Sequence, residues 1–324
     1  MRPANITVKA VVALTILGGV GAFALPACAT PYSQLVVFGD SNVDNGNLYA
    51  ATGVPASPPY SQGRFSNGPV VVQYAAQRLG IPLVDYAYGG ATTGTNVLLG
   101  SFSIPSVLTQ ISEYSATLNG ALIEPNALVV VWAGSNDLLG AARNTPAAHA
   151  DLSNRISSAV ANIDTAVTEL VQEGARTILV ANRTPRPVLT SDDNLNGIDL
   201  NAAINPAVQA LAATLDSTYD ANIALFDDYD LIADIQTNPG KYGFTNTTQP
   251  CLVGVVVCAT PDTYTQWDGA HKTTRVHSIL ADDLIAQVQD VPEPGTLVLV
   301  GTGLAVFALR RRTSAATASG STGV

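Results

Sequence analysis

Short apolar runs that alternate with longer helical stretches predict an α/β fold: a central parallel sheet with helices on both faces. Two observations carry that expectation. The apolar runs lack the polar alternation of a half-exposed strand, so each is buried on both sides. The stretches between them space their apolar residues helically, and several close on glycine. Composition agrees, with 47% hydrophobic and 12% charged residues in a chain of 324. That is ample for a core and far from the signature of disorder.

The elements follow in order. Gln34 to Phe38 is a buried strand ending at Gly39-Asp40. Gly68 to Leu79 is a helix closing at Gly80, and Val84 to Tyr88 a second short strand before Gly89-Gly90. Ile104 to Leu118 is helical. Ala127 to Trp132 is the clearest buried strand, ending at Gly134. Ala147 to Glu173 is a long amphipathic helix closing at Gly174, followed by a strand from Thr177 to Ala181. Ile198 to Tyr219 is helical, with Pro206 as a bend or interruption. Ile223 to Phe226 is a strand, a short helix begins at Asp227, and Thr273 to Gln289 is the closing helix. Thr237 to Tyr264 has little periodicity. In such folds substrates bind beyond the carboxyl ends of the strands.

The two ends are addresses. Arg2 and Lys9, an apolar run from Ala10 to Leu25 and then Ala27-Cys28-Ala29 describe a secretory signal peptide over residues 1–29, removed by signal peptidase. An uncut anchor is the alternative, and Leu25 to Cys28 loosely resembles a lipoprotein box, with Pro26 against it. At the other end Val291-Pro292-Glu293-Pro294-Gly295 leads into an uncharged run, Thr296 to Leu309, stopped by Arg310, Arg311 and Arg312. The run is short against the ~20 residues of a comfortable membrane span, and the arginines belong on the cytoplasmic side. Residues 291–312 resemble the PEP-CTERM sorting signal of Gram-negative bacteria. That resemblance implies an exosortase-type processing protease and release or surface attachment. A plain C-terminal anchor, with lasting or transient membrane association, is the alternative. Residues 313–324, rich in Ser, Thr, Ala and Gly, are expected to be unstructured. The domain between lies over residues 30–290.

The net charge of -10 disfavours nucleic acid, whose binding rests on Lys and Arg neutralising phosphates. Apart from Cys28, the cysteines are Cys251 and Cys258, which in an exported chain form a local disulfide or stay as free thiols. Two Cys and three scattered His show no metal-ligand spacing, and no cofactor is implied.

Chemistry-bearing residues gather at the strand ends. The first strand runs into Gly39-Asp40-Ser41, the second into Gly89-Gly90-Ala91 and the third into Gly134-Ser135-Asn136-Asp137; Trp267-Asp268-Gly269-Ala270-His271 precedes the last helix. This set suits acyl transfer. A serine hydroxyl needs a base within hydrogen-bond reach, and His271 fits that part. Asp268 can orient the imidazole and stabilise its charged form. The N–H groups of Ser41 and Gly90 and the side-chain amide of Asn136 can supply oxyanion donors. Each piece alone has a plainer reading: a turn, a flexible glycine pair, a helix N-cap, a surface histidine. Their joint occurrence in order is what points to chemistry.

Phe38 to Asn47 resembles the first sequence block of the GDSL (SGNH) hydrolases, Tyr86 to Thr93 the second, Trp132 to Asp137 the third and Trp267 to His271 the last. Gly63 to Gly68 is similar to a stretch of the lipase-like branch. The resemblance implies a three-layer α/β/α sandwich and a carboxylic ester hydrolase, an esterase or lipase. It makes Ser41, His271 and Asp268 the triad and Ser41, Gly90 and Asn136 the oxyanion donors. Asn42 stands where the name-giving leucine would be, and Lys272 where proline often follows the histidine. Asp40 is expected to hold the Ser41 turn and Asp44 to cap the next short helix; neither has a sequence sign of a raised pKa or of acting as a base. His277 is expected to be structural.

The sequence leaves three functions to compare. One is hydrolysis of an acyl ester (lipid, short-chain or acetylated glycan) through an acyl-enzyme on Ser41. The second is an acyltransferase on the same site, and the third a silent surface or extracellular-matrix binding protein. The acyl pocket is expected among residues 48–62, 92–104, 140–147 and 237–264.

Overall fold

The computed structural model describes residues 32–139, 146–184, 194–195 and 198–289. The expected signal peptide, sorting signal and tail lie outside these.

Five parallel strands form the central sheet: β1 (Gln34–Gly39), β2 (Leu83–Asp85), β3 (Ala127–Trp132), β4 (Thr177–Ala181) and β5 (Asn222–Phe226), in the spatial order β2-β1-β3-β4-β5. Successive residues of each strand point to opposite faces, and in β1, β3 and β4 both faces are buried. Val36, Phe38, Val129, Val131, Ile178 and Val180 join one core layer. Leu35, Val37, Leu128, Val130, Leu179 and Ala181 join the other. This is why the strands are continuous apolar runs.

Helices cover both layers. Helix α1 (Asn47–Thr52) follows the first strand and α2 (Val71–Leu79) leads to the second. The rest are α3 (Val107–Thr117), α4 (Ser135–Leu139), α5 (Pro146–Gln172), α6 (Leu200–Thr218), α7 (Tyr229–Thr237) and α8 (Thr274–Gln289). Ile111 of α3, Ile163 of α5 and Ile204 of α6 pack on the first layer. Val71 of α2, Ile232 of α7 and Leu280 of α8 pack on the second. The architecture is therefore the expected α/β/α sandwich on a parallel sheet.

Several boundaries differ from the sequence expectation: the second strand ends at Asp85 rather than Tyr88, and two helices start later for local reasons. The expected helix from Ile104 begins only at Val107, because Pro105 disfavours helical backbone in the residue before it and the Ser106 hydroxyl caps the first turn by accepting from the Thr109 N–H at 3.3 Å. Ile104 instead ends a small hairpin, Val97–Leu99 with Phe102–Ile104. Helix α2 starts at Val71, where the Gln73 side chain accepts from the Val70 N–H at 3.1 Å. The helix containing Pro206 runs through it to Thr218. The aperiodic stretch before the last helix holds a second hairpin, Leu252–Val253 with Val256–Val257, closed by a Cys251–Cys258 disulfide.

Strand order places the ends of β2, β1 and β3 side by side. Gly39 lies opposite Trp132. A Cβ at Gly39 would stand 2.4 Å from the Trp132 carbonyl oxygen and 2.7 Å from Val43. Gly39→Ala should therefore lower stability by about 1–3 kcal/mol through overpacking. A urea unfolding curve with an unchanged midpoint would contradict this close approach.

Candidate active site

Ser41 sits on the turn that leaves β1. The Asp40 carboxylate accepts from the Asn42 N–H at 3.0 Å and from the Asn42 side-chain amide at 2.9 Å, which closes the turn under the serine. Behind it, Gln110 of α3 accepts from the Gly39 N–H at 2.8 Å and donates to the Gly39 carbonyl at 3.0 Å. One buried side chain thus satisfies the last strand residue on both polar groups. Asn42, the departure from the family leucine, contributes to the turn.

Asp44 ties the first turn of α1 by accepting from the Gly46 and Asn47 N–H groups at 2.7 and 2.6 Å. Its other oxygen accepts from the Gly89 N–H at 2.7 Å. It therefore joins the serine block to the glycine turn as well as to the helix. Burial raises the pKa of both Asp40 and Asp44, against the hydrogen bonds that each accepts. The expectation of unraised values is corrected on that point: their burial was not visible in the sequence. Among the described residues neither carboxylate hydrogen-bonds to the Ser41 hydroxyl.

Gly90 occupies the left-handed region, with φ of 82°, a conformation that favours glycine. Its N–H and that of Ser41 donate to no acceptor among the described residues. Asn136, in the first turn of α4, donates one amide hydrogen to the Ala91 carbonyl at 2.9 Å; an amide nitrogen carries two. Asp137 fixes the same loop by accepting from the Thr93 N–H at 3.0 Å and the Thr93 hydroxyl at 2.6 Å. The glycine turn and the asparagine helix are thus held to each other.

The histidine arrives on a tight loop before α8. The Trp267 N–H donates to the His271 carbonyl at 2.8 Å, and Gln266 and Lys272 form an antiparallel bridge beyond it. Lys272, at the position where the family often has proline, is buried and takes part in that bridge. The Gly63–Gly68 block props the loop from outside. The Ser66 hydroxyl donates to the Lys272 carbonyl at 2.9 Å, and Asn67 accepts from the Thr274 N–H at 2.8 Å.

His271 Nε2 lies 2.9 Å from Ser41 Oγ. His271 Nδ1 lies 2.8 Å from one Asp268 oxygen. Asp268 also accepts from the N–H groups of Ala270 and His271 at 2.6 and 2.7 Å, and from the Tyr60 hydroxyl at 2.7 Å. Burial alone would raise its pKa, but the His271 charge and these hydrogen bonds outweigh burial and hold the carboxyl well below the usual range. Burial, then the bond to Asp268, pushes the Tyr60 phenol up, so it stays a donor. The Phe65 ring stands 4.9 Å from the imidazole. His277 is buried on α8, and burial, with the Lys272 and His271 charges, holds it well below its ordinary pKa.

The structure therefore places Ser41, Gly90 and Asn136 at neighbouring strand ends of the sheet and brings His271 and Asp268 to Ser41 on the loop before α8. Sequence reasoning gave no role at the site to Tyr60, Phe65 or Asp137. Tyr60 lies 208 residues from its carboxylate partner, and no local spacing marks such a pair.

A family model described as GDSL-like Lipase/Acylhydrolase matches residues 35–284. The chain belongs to the GDSL-like lipase/acylhydrolase family. Membership places this GDSL protein among hydrolases of ester bonds. A phosphatidylcholine-sterol acyltransferase of Aeromonas hydrophila is 28% identical over 234 residues, covering 70% of this chain and 67% of that protein. A GDSL esterase/lipase of Arabidopsis thaliana is 26% identical over 322 residues, covering 78% of this chain and 88% of that one. Among solved structures, a member of the lipolytic G-D-S-L family from Veillonella parvula aligns with a TM-score of 0.45 and 12% identity, over 80% of this chain and 99% of that one. A PEP-CTERM protein-sorting motif matches residues 290–312. It indicates export and cell-surface sorting in Gram-negative bacteria. Among the described residues no helix of this GDSL protein is long and apolar enough to cross a membrane; the apolar run at 296–309 lies outside them.

The depressed pKa of Asp268 has a consequence for stability. A carboxyl whose folded pKa lies below its unfolded value stabilises the fold above the unfolded value, about 4. That contribution is lost as pH falls through the folded pKa. Denaturant midpoints should therefore drop below about pH 4 more steeply in the wild type than in Asp268→Asn. Parallel slopes would contradict the charge assignment.

Proposed function

We propose that the protein is an exported carboxylic ester hydrolase that works through an acyl-enzyme on Ser41. The continuous path from Ser41 Oγ through the His271 ring to Asp268, with contacts of 2.9 and 2.8 Å, is the observation that carries the reading. His271 Nε2 takes the serine proton as Oγ attacks the ester carbonyl carbon. The Asp268 carboxylate, kept ionised by its surroundings, stabilises the imidazolium. The carbonyl oxygen becomes an oxyanion facing the Ser41 and Gly90 N–H groups and the second amide hydrogen of Asn136. His271 then returns the proton to the leaving alcohol. Water, activated by the same imidazole, attacks the acyl-enzyme and releases the acid.

Residues 30–290 are proposed as the catalytic domain, with residues 1–29 and the C-terminal motif serving export and processing by signal peptidase and the exosortase system. The substrate is an acyl ester. No residue of the machinery requires a cofactor.

An acyltransferase is the second reading. It is favoured by the likeness to a protein named phosphatidylcholine-sterol acyltransferase. Its first half-reaction is the same, and an alcohol replaces water in the second. Product analysis with added alcohol separates the two.

Ser41→Ala should lower the rate of p-nitrophenyl ester hydrolysis by at least about 10³-fold with an unchanged melting temperature. Asn136→Ala should cost about 10²–10³ in kcat with little change in KM, as for loss of an oxyanion donor. Hydrolysis by Ser41→Ala at the wild-type rate would overturn the mechanism.

A further inference from the structure

Beside the site stands a hairpin with an unusual tip. Leu252 pairs with Val257 and Val253 with Val256, leaving Gly254 and Val255 as a two-residue turn. Gly254 takes the positive φ, 63°, that the first central position of such a turn demands. Turn tips are ordinarily polar. This one exposes Val253 by 65%, Val255 by 85% and Val256 by 69%. Residues 242–261 contain no charged side chain. A disulfide between Cys251 and Cys258 clamps the base of the hairpin.

The hairpin is rooted in the histidine loop. The Cys251 N–H donates to the Gln266 carbonyl at 3.0 Å, and the Leu252 N–H to the Trp267 carbonyl at 2.6 Å. Trp267 immediately precedes Asp268. The Trp267 ring meets Tyr60 at 6.3 Å, and Tyr60 meets Phe65 at 6.2 Å. Phe65 packs in turn on the cluster that roots the Val97–Ile104 hairpin, whose Leu98 is 74% exposed. Residues 86–112 are also free of charged side chains. Two uncharged hairpins with exposed aliphatic residues are therefore tied, through Trp267, Tyr60 and Phe65, to the segments that hold His271.

We propose that these tips seat the protein on a neutral lipid surface, zwitterionic or uncharged, and that the esters it cleaves lie in that surface. This deepens the ester-hydrolase reading and rests on it for the substrate, though not for the binding. Charge decides the kind of surface. Anionic membranes recruit proteins through clustered Lys and Arg; the tips have neither, and the whole chain carries -10. Chemistry decides against a protein partner. Protein interfaces draw their binding energy from Trp, Tyr and Arg, with Leu and Val under-represented, and the exposed residues of the two hairpins include no Trp, Tyr or Arg, only aliphatic side chains with Ser101 and Ser103 beside them on the second. Shallow insertion of aliphatic side chains into the boundary between headgroups and acyl chains needs no directional partner. The disulfide and the bonds to the histidine loop would hold the inserted tip at a fixed distance from Ser41.

The test uses the full chain and two readouts. The first is local: the indole introduced by Val255→Trp is read for quenching by phosphatidylcholine vesicles with brominated acyl chains, which is blind to contact made by residues 296–309. The second is kinetic: Val255→Asp/Val256→Asp is compared with the wild type on a dispersed long-chain ester and on soluble p-nitrophenyl acetate. We expect quenching, and about tenfold or more loss of rate on the dispersed ester as apolar contact is lost, with a much smaller loss on the soluble ester. Absence of quenching, equal rates on the dispersed ester, or equal loss on both substrates would overturn the proposal. So would quenching only with anionic vesicles, or a wild-type dimer abolished by the double substitution, which would make a second copy the occupant. A wild type that is quenched yet cleaves no ester would remove the hydrolase reading and leave the surface in place.

Discussion

The pairing of Gly39 with Trp132 across the parallel β1–β3 pair sets the geometry on which the site depends. The two backbones approach so closely that only a hydrogen fits on the Gly39 α-carbon. With β2 on the other side of β1, three strand ends lie in a row. The serine turn, the glycine turn and the asparagine helix begin there. None of these carries its own chemistry far: each donor is a backbone N–H or a short side chain, so its position is the position of the sheet edge. A register slip of one residue in β1 would turn every buried side chain to the wrong layer and move Ser41 out of reach of His271.

Asp268 and His271 arrive differently, on a loop with little regular structure. That loop is held by polar contacts from far along the chain. Ser66, Asn67 and Tyr60 reach it from the segment after α1, and the disulfide hairpin holds its other side. Asp268 is the electrostatic centre of this arrangement. A buried carboxylate is costly unless hydrogen-bonded, and here two backbone N–H groups, a phenol and the imidazole surround it. The same bonds that offset its burial also fix the orientation of His271, so folding and the proposed chemistry share one set of interactions.

Much of this was legible in the residues. The sheet was, because strands buried on both faces leave unbroken apolar runs such as Ala127 to Trp132. The site blocks were, because strand ends confine Ser41, Gly90 and Asn136 to short conspicuous turns. What escaped was non-local or depended on burial. Nothing near Tyr60 announces Asp268, and nothing near Asp44 announces the Gly89 N–H. The Val97–Ile104 hairpin lay in a stretch expected as a loop, and only its last residue, Ile104, was taken into the following helix; Pro105 and the Ser106 cap start that helix later. The raised pKa values of Asp40 and Asp44 required knowing that both are buried.

The proposed mechanism makes Ser41 a nucleophile activated by His271. Its most direct test is to react the protein with an alkyl p-nitrophenyl phosphonate and locate the adduct by peptide mass spectrometry. A single adduct on Ser41 is expected, forming far more slowly in His271→Ala. An adduct on another residue, or labelling of Ser41 at the same rate without the imidazole, would contradict it.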